Sequence, residues 1–188
     1  IAGFAEAELV VNALMGKVGV KPTLAALAAG KNVALANKEA LVSAGEEIMN
    51  LAQQKNLKVI PIDSEQSAIF QCLGSRTPDA IEKIVLTCSG GPFHGWTKQQ
   101  LADITVEQAL RHPTWKMGNK ISVDCATLVN KGLEVIEAMY LFNLKPEQIE
   151  VLIHRQSQIH GLVYFKNGTC LAQLTARDMR ILISYALF

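Results

Sequence analysis

The sequence predicts an α/β protein that combines the end of a doubly wound parallel sheet with an α+β domain carrying an antiparallel hairpin. Over residues 1–62, short apolar runs alternate with helical patterns, and this order favours parallel strands joined by right-handed crossovers. Near the C-terminus, Lys166-Asn167-Gly168 lies between two strand-like segments, and Asn-Gly is a strong hairpin signal. We therefore divide the chain into residues 1–62 and residues 63–188.

The first part is predicted to contain three strands and two helices. Pro22 marks the start of a helix and Gly30 its end, because proline suits the first helical turn and glycine the residue after the last one. The predicted strands are residues 9–11, 32–36 and 57–62, and the predicted helices are residues 22–29 and 38–55.

The second part mixes strands, helices and a long loop. A predicted strand at 81–87 runs into a glycine-rich turn, and apolar residues recur at helical spacing over 127–142. Capping boxes of the Thr-x-x-Gln type predict helix starts at Thr97 and Thr105. The polar loop at 111–120 is long enough to act as a lid.

The composition limits the class of protein. The chain has 188 residues, a net charge of +1 and 49% hydrophobic residues, so it can bury a core and is not disordered. The near-neutral charge argues against nucleic acid, and no apolar run approaches the roughly 20 residues that span a bilayer. The chain starts without Met or a signal-peptide pattern, so we expect a piece of a longer protein. The cysteines lack zinc-site spacing and are expected to be buried free thiols: Cys72, Cys88, Cys125 and Cys170.

The first candidate site is Asp63-Ser64-Glu65, at the carboxyl end of a predicted strand, where open α/β sheets bind ligands. If the chain stays extended here, Asp63 and Glu65 point the same way and can converge on a cation. Two carboxylates without a thiolate nearby favour Mg²⁺ or Mn²⁺. The alternative is a helix cap followed by solvated acids.

The second candidate site is a helix predicted to begin near Asp124 and to carry Asn130, Lys131 and Glu134. Its N-terminus would attract an anion, with Lys131 and Ser89 as further donors. Glu134 could supply a third carboxylate to the metal. The alternative is a solvated helix face with one Glu–Lys pair.

Two further segments could contact a ligand. His112 lies in the predicted lid with Trp115, Lys116 and Met117, although an exposed surface loop is the alternative. Asn37-Lys38-Glu39 follows another predicted strand and could reach both a dinucleotide and its partner substrate. The remaining histidines are expected to be structural: His94, His154 and His160.

Five segments occur in one order over about 115 residues, and together they resemble the 1-deoxy-D-xylulose 5-phosphate reductoisomerase family; these segments are ALANKEALV, PIDSEQSAIFQ, TCSGGPF, RHPTWKMGNKISVD and ATLVNKGLEVIEA. The resemblance implies NADPH- and metal-dependent conversion of the ketose phosphate to 2-C-methyl-D-erythritol 4-phosphate, on the methylerythritol phosphate route to isoprenoids. It also implies that residues 1–62 end a Rossmann-like NADPH domain and that residues 63–188 form the catalytic domain.

The resemblance assigns roles to individual residues. The implied metal ligands are Asp63, Glu65 and Glu134. The implied substrate contacts are Lys38, Ser64, Glu65, Ser89, His112, Cys125, Asn130, Lys131 and Glu134. Within that set the implied catalytic residues are Lys38, Glu65, His112 and Glu134. The implied NADPH contacts are Asn37, Glu39 and Gly118. A homodimer in the bacterial cytoplasm or plastid stroma is also implied, with no nucleic acid or membrane partner.

The chain departs from the family pattern at several positions. Cys125 replaces a serine that donates to phosphate, Gln66 replaces a histidine, Arg155 replaces a proline, and residues 175–177 replace a Gly-x-Pro segment. No glycine-rich turn for dinucleotide phosphates occurs, and the family's N-terminal half-domain and C-terminal helical domain are expected to be absent. Two alternatives stay open: a folded fragment without activity, and a metal-dependent sugar-phosphate isomerase or binder that uses no nicotinamide.

Overall fold

Three parallel strands form the first sheet, in the order β1-β2-β3, in the computed structural model, which describes residues 1–188. The strands are β1 (Leu9–Asn12), β2 (Asn32–Leu35) and β3 (Val59–Pro61). Helix α1 (Val20–Ala28) connects β1 to β2, and α2 (Lys38–Gln54) connects β2 to β3. The predicted parallel strand–helix alternation of this part is therefore confirmed.

The helix boundaries of this sheet differ slightly from the predicted ones. Helix α1 begins at Val20 after a short 3₁₀ turn, so Pro22 lies within its first turn. Gly30 follows α1 with a φ of +76°, a backbone conformation that favours glycine. Helix α2 is kinked at Ala44, whose φ of −149° is not helical.

The second sheet has four strands in the order β5-β4-β6-β7. They are β4 (Ile81–Cys88), β5 (Ile149–Ile153), β6 (Ile159–Phe165) and β7 (Cys170–Leu174). The β6–β7 hairpin is antiparallel and turns through Gly168, which confirms the predicted hairpin. Strand β5 pairs in parallel with β4 and was not predicted, because its residues follow a polar turn without clear alternation.

Six helices accompany the second sheet: α3 (Ser64–Leu73), α4 (Lys98–Leu101), α5 (Val106–Ala109), α6 (Asn119–Ala126), α7 (Val129–Leu141) and α8 (Met179–Leu187). Both predicted capping boxes are present at the starts of α4 and α5. None of the helices combines the length and apolar character needed to cross a membrane.

Two sequence-based expectations about helices are wrong. The segment after β3 is not extended, because α3 begins at Ser64 and Asp63 occupies its N-cap position. The helix that carries Asn130 does not begin near Asp124, which lies inside α6. Leu128, with a left-handed φ of +61°, separates α6 from α7 and turns the chain between them.

Helices α2 and α7 pack closely and join the layers of the two sheets. Gly45 of α2 is buried against the ring of Tyr140, and a Cβ atom at position 45 would lie 2.3 Å from that ring. Tyr140 and Leu141 also pack against the apolar core of the first sheet. Helix α7 thus contacts the cores on both sides, and glycine is required where α2 crosses it.

We expect Gly45→Ala to destabilise the fold by about 1–3 kcal/mol, because the added methyl group displaces the Tyr140 ring. Gly132→Ala is the matched control, since position 132 lies on α7 with no atom near the added methyl group. That substitution should stabilise the helix by about 0.4–1 kcal/mol. Urea unfolding followed by circular dichroism measures both changes, and equal effects at the two positions would contradict the close packing.

Candidate active site

A cavity of about 260 Å³ lies at the carboxyl ends of β2, β3 and β4. The residues that follow these strands line it, together with a loop at 112–117 and the N-terminal half of α7. Ligands of open α/β sheets bind at this edge of a sheet. The cavity contains ten of the thirteen predicted site residues: Lys38, Asp63, Ser64, Glu65, Ser89, His112, Cys125, Asn130, Lys131 and Glu134.

Three carboxylates converge in this cavity. Carboxylate oxygens of Asp63, Glu65 and Glu134 all lie within 4.8 Å of one another, a spacing at which one cation can contact all three. The first two flank the start of α3, so a helical turn rather than an extended strand brings them together. Gln66 holds α3 against α7, because its buried amide donates a 2.7 Å hydrogen bond to the Glu134 carbonyl.

Two buried lysines balance part of the negative charge. The Lys38 ammonium contacts Asp63 and lies 3.1 Å from Glu134 Oε1. The Lys131 ammonium lies 3.0 Å from Glu65 Oε1 and also contacts Glu134. Glu134 is only 1% exposed and accepts contacts from both lysines. Three carboxyl groups thus face only two ammonium groups, and this excess of oxygen ligands suits a site that takes up a cation.

The protonation of the acids depends on which lysine each one faces. Burial raises the pKa of Asp63. The Lys38 ammonium opposes this rise, whereas the neighbouring Glu134 and Glu65 charges add to it. Burial acts to raise the pKa of Glu65, but the Lys131 and Lys38 charges and the hydrogen bonds from Ser64 and Lys131 together outweigh it, and the pKa falls below its usual range. Glu137, fully buried on α7 without a hydrogen-bond partner, has a raised pKa because burial disfavours its charge. Sequence analysis did not identify Glu137, since nothing in its spacing marked it as buried.

The polar face of α7 is its buried face. Asn130, Lys131 and Glu134 are buried, whereas Val129 of the predicted apolar stripe is half-exposed. The alternative of a solvated helix face is therefore wrong. The first N–H groups of α7 lie beside the cavity, and the free N–H groups of a helix N-terminus attract anions.

His112 and Ser89 form a second polar cluster on the cavity wall. His112 Nδ1 accepts hydrogen bonds from the backbone N–H groups of Trp115 (3.0 Å) and Thr114 (3.3 Å). The ring proton therefore lies on Nε2, which donates to Ser89 Oγ at 3.2 Å. Burial lowers the pKa of His112 and keeps this neutral form. Because Ser89 Oγ also accepts from Gly91 N–H, the serine proton is free to donate into the cavity.

The loop at 112–117 covers part of the cavity. Trp115 and Met117 are half-buried and line it, while Lys116 is exposed. The Trp115 ring lies 6.3 Å from the ring of His160. The arrangement agrees with the predicted lid position rather than with a free surface loop.

The far wall of the cavity includes Ser157, His160 and Met179, none of which was predicted to lie at the site. His160 is buried, and its Nε2 lies 3.3 Å from the Thr175 carbonyl, so it makes the structural contact expected of it while also lining the cavity. No spacing rule connects these residues to the carboxylates, because they come from the segment before β6, from β6 itself and from the start of α8.

The cysteines are free thiols, but only Cys72 is fully buried, and Cys170 is exposed on β7. The expectation that all four are buried is therefore wrong, because β7 is an edge strand with little covering it. Cys125 is half-buried and lines the cavity. Burial raises the pKa of its thiol to about 12, so the group is a neutral and weak hydrogen-bond donor.

Three predicted site residues do not line this cavity: Asn37, Glu39 and Gly118. The Asn37 side chain caps α2 by accepting from Ala40 N–H at 2.6 Å, and it donates to the Gly16 carbonyl at 2.8 Å. Glu39 pairs with Lys120 of α6 at 3.0 Å, close to Gly118 at the start of that helix. These residues lie together at the joint between α2 and α6, next to the cavity.

Comparison with known proteins gives matches along nearly the full chain. A family model described as 1-deoxy-D-xylulose 5-phosphate reductoisomerase matches residues 1–45, and one described as the C-terminal domain of that enzyme matches residues 59–142. Together they cover more than half of the chain. The reductoisomerase of Protochlamydia amoebophila is 55% identical over 186 residues, which are 99% of this chain and 48% of that protein. That of Desulfitobacterium hafniense is 54% identical over 96% of this chain and 47% of its own length.

Solved structures agree with these matches. A reductoisomerase in complex with NADPH, fosmidomycin and magnesium superposes with a TM-score of 0.93 at 44% identity, over 100% of this chain and 48% of that one. The Zymomonas mobilis enzyme in complex with NADPH gives 0.90 at 43% identity, over 99% of this chain and 48% of its own. The chain spans about half the length of the relatives it matches. With two family models, sequence identity above 50% and a shared fold in agreement, the chain belongs to the 1-deoxy-D-xylulose 5-phosphate reductoisomerase family.

Proposed function

We propose that the intact protein catalyses the NADPH-dependent reductive isomerisation of 1-deoxy-D-xylulose 5-phosphate to 2-C-methyl-D-erythritol 4-phosphate. The observation that carries this proposal is one cavity that holds a three-carboxylate cluster beside a set of anion-binding donors. A ketose phosphate presents the matching groups, since it has oxygens for a cation at one end and a phosphate at the other.

The carboxylate cluster fits a hard divalent cation. Asp63, Glu65 and Glu134 would hold Mg²⁺ or Mn²⁺, because these ions prefer carboxylate oxygens and the cluster contains no thiolate ligand. When bound, the ion would act as a Lewis acid on the ketone and hydroxyl oxygens of the substrate. The Lys38 ammonium contacts Asp63 and Glu134 and neutralises part of the negative charge of the cluster.

Groups of the chain itself would bind the phosphate and shape the cavity. Ser89 has a free hydroxyl proton, and the backbone N–H groups at the start of α7 with the Asn130 amide offer further donors. The Lys131 ammonium, whose three protons go to Glu65, Glu134 and the Thr87 carbonyl, would attract the phosphate by its charge. His112, held neutral with its proton on Nε2, orients Ser89 and lies where it can contact substrate. Trp115 on the covering loop would exclude water when the site is filled.

The nicotinamide cofactor would lie beside the joint between α2 and α6. We assign Asn37, Glu39 and Gly118 to it on the family resemblance, with residues 1–62 as the end of the cofactor domain and residues 63–188 as the catalytic domain. The side-chain amide of Asn37 is already used in capping α2, so its contact with the cofactor would be made through the backbone or through the shape of the turn.

One alternative is a folded fragment without activity of its own. A metal-dependent binder or isomerase without nicotinamide is the other. Following NADPH oxidation with the ketose phosphate and Mn²⁺ distinguishes them. Oxidation by the intact protein but not by residues 1–188 alone supports the fragment, and metal-dependent binding without oxidation by the intact protein supports the binder.

We also propose that the intact protein is a cytoplasmic homodimer that associates through the second sheet. Helices α3 and α7 cover one side of this sheet, while Val151, Leu152 and Ile153 of its edge strand β5 remain about half-exposed. Exposed apolar strands of this kind mark interaction surfaces.

Glu134→Gln should lower turnover by more than about 100-fold, because it removes a carboxylate charge from the cluster and leaves both lysines without the anion that they share. The fold should persist, as shown by an unchanged circular dichroism spectrum. Glu147→Gln is the control, since Glu147 is exposed and distant from the cavity wall. Wild-type activity of the Glu134 variant at saturating metal would remove this residue from the ligand set.

Cys125→Ser should leave the Michaelis constant for the ketose phosphate unchanged or lower it by up to about fivefold, because a hydroxyl is a better donor than a neutral thiol. Cys170→Ser, at an exposed thiol of β7, is the control and should change nothing. A clear rise in the Michaelis constant of the Cys125 variant would show that the thiol contributes to binding.

Leu152→Glu should shift the intact protein from dimer to monomer, because it places a charge on the exposed apolar strand β5. Light scattering coupled to size-exclusion chromatography measures the mass of both proteins. A variant that stays dimeric would place the interface elsewhere.

A further inference from the structure

Arg155 replaces the proline that the family resemblance predicts, and it makes a contact that proline cannot make. It lies two residues beyond the end of β5, and its Nη1 donates to the Ser89 carbonyl at 2.9 Å and to the Gly91 carbonyl at 3.0 Å. Both acceptors belong to the turn that follows β4. The arginine therefore extends the β4–β5 pairing beyond the last strand residues, where His154 N–H donates to the Cys88 carbonyl at 2.7 Å.

The turn held by Arg155 has little rigidity of its own. Gly90 and Gly91 both have positive φ values, +80° and +72°, and glycine restricts the backbone less than any other residue. A side chain at position 91 is excluded, because a Cβ atom there would lie 2.7 Å from the Cys125 carbonyl oxygen. The turn thus lies against α6 without side-chain packing of its own, and hydrogen bonds must fix its position.

The position of this turn decides where Ser89 Oγ lies. That hydroxyl accepts from Gly91 N–H at 3.2 Å and from His112 Nε2 at 3.2 Å, which leaves its proton for the cavity. A shift of the turn would break this pair of contacts and change the direction of the serine proton. The two carbonyls bound by Arg155 are those of Ser89 itself and of the glycine that donates to it.

We propose that Arg155 is a positioning residue for phosphate binding, acting through the Ser89–Gly91 turn. The proposal rests on the proposed function, because it assumes that Ser89 donates to the substrate phosphate. Arg155 does not line the cavity, so it acts on Ser89 through its two hydrogen bonds to the turn. Burial lowers the pKa of His112, and the Arg155 charge adds to this lowering. In this chain a hydrogen-bonding side chain takes the place of the backbone restraint that proline supplies.

The test uses the intact protein with three substitutions: Arg155→Met, Arg155→Lys and Arg177→Met. Methionine removes both hydrogen bonds and keeps a long side chain, whereas lysine keeps the charge and a donor. Arg177 is an exposed arginine outside the cavity wall and serves as the matched control. Steady-state NADPH oxidation gives the Michaelis constants for ketose phosphate and NADPH, and inorganic phosphate serves as a competitive probe of the anion subsite.

Arg155→Met should raise the Michaelis constant for the ketose phosphate and the inhibition constant for inorganic phosphate together, by about three- to tenfold. The turnover number and the Michaelis constant for NADPH should stay within about twofold, since ground state and transition state lose the same contact. Arg155→Lys should recover part of the loss, and Arg177→Met should match the wild type.

Two results would overturn the role of Arg155. One is an unchanged inhibition constant for inorganic phosphate in the methionine variant. The other is a parallel change in turnover, NADPH binding and melting temperature, which would indicate general damage to the fold. A wild-type protein that does not oxidise NADPH would instead contradict the proposed function. In that case the shift in melting temperature with added inorganic phosphate still tests Arg155, because it needs no turnover.

Discussion

The structure depends on a buried network in which two lysines hold three carboxylates together. Lys38 of α2 and Lys131 of α7 both reach Glu134, and through Asp63 and Glu65 they tie the start of α3 to the other two helices. An unpaired charge at such depth is very costly, so each member keeps the others in place. The network therefore fixes the relative positions of three helices and, with them, the shape of the cavity.

The same network explains why α7 buries its polar side. An amphipathic helix normally turns apolar residues toward the core, yet Asn130, Lys131 and Glu134 face inward here while Val129 is half-exposed. Side chains of two neighbouring helices contact the buried Glu134: the Lys38 ammonium contacts its carboxylate, and the Gln66 amide donates to its backbone carbonyl. Leu128, held in a left-handed conformation, makes the sharp turn that aims the start of α7 at the cavity. Backbone strain at such a position is typical of functional sites.

Much of the fold could be predicted because local patterns and the final structure agree. The parallel alternation up to Pro61, the hairpin at Gly168 and the capping boxes at Thr97 and Thr105 are all set by neighbouring residues. Strand β5 was missed because its pairing with β4 is set by distant contacts. The break at Leu128 was missed because leucine carries no sequence signal for a left-handed turn.

The sequence allowed the residues of the candidate site to be chosen, but it did not allow their arrangement in space to be predicted. The carboxylates and lysines could be chosen because they follow strand ends or share a helix face, and the family resemblance reinforced that choice. Their convergence has a different cause from the one expected, since α3 begins where an extended chain was predicted. The cavity position of His160 on β6 and the burial of Glu137 on α7 are visible only in the tertiary structure.

Two adjacent residues at the start of α2 contact different parts of the molecule. The Asn37 side chain donates a hydrogen bond to the Gly16 carbonyl, in the segment after β1. The next residue, Lys38, contacts Asp63 and Glu134 in the carboxylate cluster. Any displacement of the backbone at this point moves both attachments at once. The segment after β1 and the carboxylate cluster are therefore attached to α2 through adjacent residues, a single peptide unit apart.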